Sequence, residues 1–227
     1  MYHPAEKNHL AIFTLFLLMV FFSLLSCSDS VPKINGVNQS VIMDFSDEQS
    51  PAVVSLSVFI QSDSEVRKID SLTLTNVNSS LSWTSRTIEL LQGKNNKFWA
   101  GYSNFKAVQG TFFPQGRYTV LIEDKAGNES ESSFILNIPE EIKKGNLKSI
   151  RAYLSGNSVQ FLKNIAIYDG ENNLLFLGEE NENFSTDEQF IKKYPESVKK
   201  RPVYLINGGT ITILFPSEEI NNQSNES

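Results

Sequence analysis

From residue 34 to residue 216 the dominant hydrophobic period is two. A period of two sends successive side chains to opposite faces of an extended chain, so the pattern demands strands with one buried face rather than amphipathic helices. Val54, Leu56, Val58 and Ile60 alternate with Ser55, Ser57 and Phe59 in a half-buried strand. Ile69, Leu72 and Leu74 mark a second strand and Thr87–Leu91 a third. In a fourth, Phe98, Ala100 and Tyr102 alternate with Lys97, Trp99 and Gly101. Short strands divided by Ser, Asn, Gly and Pro clusters predict a mostly β fold, built as a sandwich.

The best-marked segment runs from Phe113 to Asn128. Pro114 and Gly116 make a corner, and Tyr118 opens the strand that follows. Asp124-Lys125-Ala126-Gly127-Asn128 then forms a tight hairpin, with Gly127 free to take a positive φ. Phe134, Leu136 and Ile138 alternate on the return strand. A Pro-x-Gly-x-Tyr corner followed by Asp-x-Ala-Gly-Asn resembles the last two strands of bacterial immunoglobulin-like and fibronectin-III-like domains. The resemblance is clear over Phe112–Ile138 and looser back to about Ile34. It implies an immunoglobulin-like sandwich over residues 34–139, with Tyr118 as its tyrosine corner. Such folds host many unrelated functions.

After Pro139 the pattern restarts, and residues 140–216 are expected to form a smaller β-rich unit with one short helix. Ile150, Ala152 and Leu154 predict a strand. Ile165 and Ile167 pair with Leu175 and Leu177 around Asp169-Gly170-Glu171-Asn172-Asn173. Thr186 and Gln189 are spaced as a capping box opening a helix over Asp187–Tyr194. Pro202–Phe215 predicts a hairpin with a two-residue turn around Gly208. Residues 217–227, mostly Glu, Asn and Ser, carry too little apolar content to order themselves and are expected to be a disordered tail.

The beginning of the chain has a different logic. Residues 1–9 are short and polar, and Leu10–Leu25 is almost wholly apolar, interrupted only by Thr14 and Ser23. That is the layout of an export signal, and the run falls short of the ~20 residues a spanning helix needs. It ends in Leu24-Leu25-Ser26-Cys27, and Cys27 is the single cysteine of the chain. This ending resembles the lipobox of bacterial lipoprotein precursors. The resemblance implies a signal peptide over residues 1–26, cleavage between Ser26 and Cys27, and diacylglyceryl and acyl (palmitate-type) chains on Cys27. It also implies a lipidated tether over residues 27–33. Ser28 rather than aspartate follows the cysteine, which among such lipoproteins favours the outer membrane over the inner.

Cleavage there would remove both histidines, His3 and His9, and acylation would consume the only thiol. The mature chain then lacks an imidazole base for Ser-His or Cys-His catalysis, the usual zinc ligands, and any disulfide. With 26 acidic against 20 basic residues and a formal charge of −6, nucleic acid is a poor partner. No catalytic residue, metal or cofactor is assigned. Three acidic groups are candidates for calcium: Asp44 with Asp47 and Glu48, Asp169 with Glu171, and Glu179–Glu182 with Asp187 and Glu188. None has the EF-hand spacing, and solvated loop acids are the simpler reading. Trp83, Trp99 and Tyr102 are a candidate ligand platform, weighed against their use as core rings.

These readings lead to a non-catalytic, lipid-anchored envelope protein that binds or scaffolds an envelope protein or a glycan. The alternatives are a carbohydrate-binding accessory lipoprotein and, less favoured, a hydrolase using only carboxylates.

Overall fold

The computed structural model describes residues 33–62, 66–93, 97–107, 112–156, 159–182 and 184–221. The apolar run, Ser26, Cys27, the tether as far as Pro32 and the tail beyond Asn221 lie outside the described residues. Eight strands come first: β1 (Ile34–Asp44), β2 (Val53–Ser62), β3 (Ile69–Asn76), β4 (Ser82–Ser85), β5 (Glu89–Gln92), β6 (Phe98–Lys106), β7 (Gly116–Asp124) and β8 (Glu129–Leu136). Two short helices follow, α1 (Glu140–Lys143) and α2 (Leu147–Leu154). The rest comprises β9 (Phe161–Tyr168), β10 (Leu174–Glu179), α3 (Asp187–Lys193), β11 (Lys199–Ile206), β12 (Ile211–Leu214) and β13 (Glu218–Glu219).

The first eight strands have immunoglobulin-like topology. β1-β2-β6-β5 are neighbours in one sheet and β4-β3-β7-β8 form the other, the ABED and C′CFG arrangement of that sandwich. Leu56, Val58 and Ile60 of β2, Leu72 and Leu74 of β3, and Val120 and Ile122 of β7 meet in one core, as their alternation requires. The tyrosine corner is formed as well. Tyr118 is fully buried, its ring stacks on Phe134 at 5.2 Å, and its hydroxyl donates to the Pro114 carbonyl at 2.7 Å. Burial pushes the phenol up to about 12, against a small opposing effect from the Asn76 side chain. Asn76, also fully buried, does more than the sequence disclosed. Its oxygen accepts from the Asn78 and Ser79 amides at 3.1 and 2.9 Å, while its amide reaches the Pro114 and Gln115 carbonyls at 3.4 Å.

The second half is not a separate domain. β12 pairs in parallel with β1, Val41 to Ile211 through Asp44 to Leu214. That extends the first sheet to the order β10-β9-β11-β12-β1-β2-β6-β5, with β13 beside β11. Ile206, Ile211, Ile213 and Phe215 enter the same core as Val41 and Met43, together with Ile142, Leu147 and Ile150 from the two helices. Pro32–Ser227 is one compact unit, so the boundary expected at 139–140 divides nothing. Strand alternation is visible in sequence, but which sheet edge it will pair with is not.

Three local expectations are also corrected. Ile150 and Leu154 belong to a helix, not a strand. Leu147, Ile150 and Leu154 share one helical face, and Asn146 caps the helix by accepting from the Ser149 amide at 2.8 Å. The β11–β12 connection is a longer turn than two residues, with Asn207, Gly208 and Gly209 all at positive φ. The tail is ordered at its start: Glu218 and Glu219 pair with Lys200 and Lys199, and Ile220 is buried beside Ile165, Ile167, Phe184 and Phe190. That small satellite core lies under α3, whose Thr186–Gln189 capping box is present as expected.

Arg201 holds the join between the halves. Its Nε donates to the Phe215 carbonyl at 2.5 Å, and its guanidinium reaches the Asp44 carboxylate and the Phe45 carbonyl, the latter at 2.9 Å. It thereby satisfies backbone carbonyls just past the ends of both parallel strands. The neighbouring Pro202 sits where β12 gives way to β13. Its carbonyl accepts from the Phe215 amide, so its nitrogen faces the same side, at a break in the ladder that needs no donor.

Two measurements check these contacts. Tyr118→Phe should cost about 1 kcal/mol in urea unfolding, the worth of one lost hydrogen bond. Arg201→Ala should cost roughly 1–3 kcal/mol, because several part-buried acceptors lose a charged donor at once. Arg201→Lys should recover only part of that loss, since an ammonium cannot reproduce the guanidinium fork.

Candidate functional site

The aromatic trio is not one platform. On β6, Ala100 and Tyr102 face the core, paired with Ile60 and Val58, while Trp99 opposite Gln61 faces outward. Trp83 on β4 packs inward, 5.2 Å from Phe113 and 6.2 Å from Tyr118, and its indole N–H donates to the Lys106 carbonyl at 3.0 Å. Tyr102 packs edge-on against Phe105 at 5.1 Å. Strand alternation therefore divides the three rings between two faces, and only Trp99 is left on the outside.

The acidic groups hold loops and strands together. Asp47 accepts from the Gln49 and Ser50 amides at 2.8 and 2.6 Å and from the Ser50 hydroxyl at 2.6 Å. Asp44 is engaged by Arg201, and Glu48 by Arg151. Asp124 and Asp169 solve the same turn in the same way. Each accepts from the backbone N–H two and four residues on and from an asparagine side chain, Asn128 at 3.0 Å and Asn173 at 2.9 Å. The residue before each asparagine has a positive φ, Gly127 in one and Asn172 in the other. Hydrogen bonds from Asn128 and Asn173 lower the pKa of Asp124 and Asp169. Those from Ser50, first its hydroxyl and then its amide, bring Asp47 to about 2. A general acid needs its proton held to higher pH, the opposite direction. Among the described residues no three His, Cys, Asp or Glu side chains converge as a metal site.

One concavity has no counterpart in the sequence pattern. A cleft of about 200 Å³ is lined by residues including Arg151, Lys163, Lys200, Tyr204, Phe215 and Glu218. Tyr204 and Phe215 contribute rings 4.8 Å apart, and the Arg151 guanidinium lies 4.9 Å above the Phe215 ring. Lys163 bonds Glu180 at 2.8 Å and Lys200 bonds Asp187 at 2.7 Å. Burial works against the charge on Lys163, but Glu180 outweighs it and holds the pKa above its ordinary value. Burial likewise opposes ionisation of Asp187, and Lys200 with the Asn221 amide overcomes it, lowering that pKa. The cleft thus presents paired charges around a ring-lined wall, which suits surface recognition better than proton transfer. The β11–β12 hairpin is local, but Lys163 joins it only through the pairing of β9 with β11 and Arg151 only by reaching over Phe215 from α2, so spacing along the chain could not signal the cleft.

Among the described residues no helix is long and apolar enough to cross a membrane. Searches for similar proteins found no matching family model, curated protein or solved structure.

Asp47 gives the loop between β1 and β2 a measurable pH response. It is ionised more readily in the folded chain, so its contribution to stability is present above the unfolded pKa near 4 and is lost as pH falls through about 2. A carboxyl NMR titration should show Asp47 with its midpoint near 2. Ser50→Ala should move that midpoint upward.

Proposed function

We propose that this chain is a lipid-anchored protein of a bacterial envelope, displaying a non-catalytic sandwich that binds or scaffolds a partner at the membrane surface. The observation that carries the reading is Leu24-Leu25-Ser26-Cys27, placed directly after an apolar run and holding the chain's only cysteine. Several acyl chains on Cys27 would anchor firmly, at about 0.8 kcal/mol per buried methylene, where one chain holds only marginally. The outer membrane is favoured because serine follows the cysteine.

The compact unit beginning at Pro32 supports the reading, since it starts five residues after Cys27 and supplies a body to display. The cleft beside Arg151, Lys163 and Lys200 is the place on that body best suited to an envelope protein or glycan. The competing reading, a carbohydrate-binding accessory built on stacked rings, retains only Trp99 of its three aromatics on the outer face.

Cys27→Ser should abolish incorporation of a clickable palmitate analogue and leave an uncleaved, mislocalised precursor. Equal labelling of both proteins, or of neither, would overturn the anchor.

A further inference from the structure

The β5–β6 hairpin departs from the polar–apolar alternation that governs the rest of the sandwich. Leu90 and Leu91 are adjacent on β5, and Phe98 and Trp99 are adjacent on β6. Adjacent residues of a strand point to opposite faces, so the paired part of this hairpin is apolar on both sides, behind the polar connecting residues 93–97. Leu91 lies opposite Trp99, Leu90 opposite Ala100, and Gln92 opposite Phe98. Leu90 is 46% exposed, Leu91 50% and Phe98 37%, and β5 is the last strand of its sheet. An edge strand with leucines open to water is a liability unless something covers it.

Trp99 belongs to the same patch. Its indole lies across the outer face of the sheet. A Cβ on Gly36 of β1 would sit 3.7 Å from its Cη2, and one on Gly93 would sit 3.0 Å from its Nε1. Among the described residues nothing accepts its N–H, whereas that of Trp83 is bonded to the Lys106 carbonyl. A half-buried indole whose N–H no described residue accepts, set among leucine and phenylalanine, is the side-chain chemistry of a membrane interface.

The position of the patch supplies the partner. Ile34 pairs with Ser62 and Gly36 with Gln61, which pairs in turn with Trp99. The start of β1 and the tip of the hairpin therefore lie at the same end of the sheet, three strand spacings or roughly 14 Å apart. Cys27 precedes Ile34 by seven residues, a span of at most about 25 Å. A bilayer holding an acyl group on Cys27 is thus within reach of this end of the sandwich.

We propose that Leu90, Leu91, Phe98 and Trp99 rest in the interfacial layer of the bilayer that carries the acylated Cys27, so that the anchored sandwich docks by its β5–β6 end. The inference rests on the anchor proposed above. Docking is by insertion of apolar side chains, and Lys97, exposed beside Phe98, adds an attraction to anionic headgroups that salt screens. It would also fix which surfaces of the sandwich face away from the membrane.

The chain has two tryptophans, which makes fluorescence a direct test. The acylated protein is reconstituted in phosphatidylcholine vesicles with plain or brominated acyl chains. The expected result is quenching of wild-type emission by the brominated lipid and loss of that quenching in Trp99→Phe. Leu91→Glu, at an exposed edge position, keeps both tryptophans and should also lose most of the quenching, with an unchanged circular dichroism spectrum. Equal emission from bound wild-type protein in both vesicles, or quenching that survives Trp99→Phe, overturns the docking. An acylated, vesicle-bound protein with unquenched Trp99 removes this inference alone. A mature protein without an acyl group removes the anchor and the docking together.

Discussion

The pairing of β1 with β12 is the contact on which the rest of the molecule depends. In a free-standing sandwich of this topology β1 would be an open edge, and β12 would be one side of a hairpin with no partner. Pairing them closes both edges at once. It also lets Ile211 and Ile213 complete the hydrophobic layer begun by Val41 and Met43. The cost is entropic. Ser40 and Thr212, whose hydroxyls meet at 3.0 Å, are 172 residues apart, and contacts of that separation form late and slowly. With one cysteine in the chain no internal disulfide can shorten that loop, so core packing and the Arg201 network hold the closure.

Where the sheets end, polar side chains take over from the ladder. Asp124 and Asp169 each fold a hairpin by accepting from backbone amides, Asp47 does the same after β1, and Asn76 ties the β3–β4 turn to the Pro114 corner. These carboxylates look from a distance like metal loops, and the same acceptor geometry that could gather a cation is spent here on N–H groups. That division of labour explains an acidic surface whose charges are structural at some positions and cleft-lining at others.

Under the anchor proposed above, a sandwich tethered through one acylated residue and a few residues of chain has its orientation open unless its own surface chooses one. The β5–β6 end and the cleft are distinct places on this domain, one apolar and near the start of β1, the other charged and formed around β11. An anchored protein that rests on the first presents the second to whatever it meets.

Much of this was legible in the chain itself. The period of two determined the strands β2, β3, β6, β7, β9 and β12, because burying one face of a pleated strand leaves no other pattern. Pro114, Gly116 and Tyr118 determined the corner, and Thr186 with Gln189 the start of α3, since each device works over four or five residues. Ile150 and Leu154 mislead because their spacing suits either period until Asn146 is seen to cap a helix. What only the tertiary structure decided is which edges meet. Nothing local in Val41–Asp44 names Ile211–Leu214 as its partner, and so the nine-stranded sheet, the Arg201 clasp, the cleft and the inward packing of Trp83 were beyond reach, whereas alternation along β6 already set Trp99 opposite Tyr102. Local hydrogen bonding and alternation are written in neighbouring residues, whereas edge pairing is a choice among distant strands that present nearly the same backbone to one another.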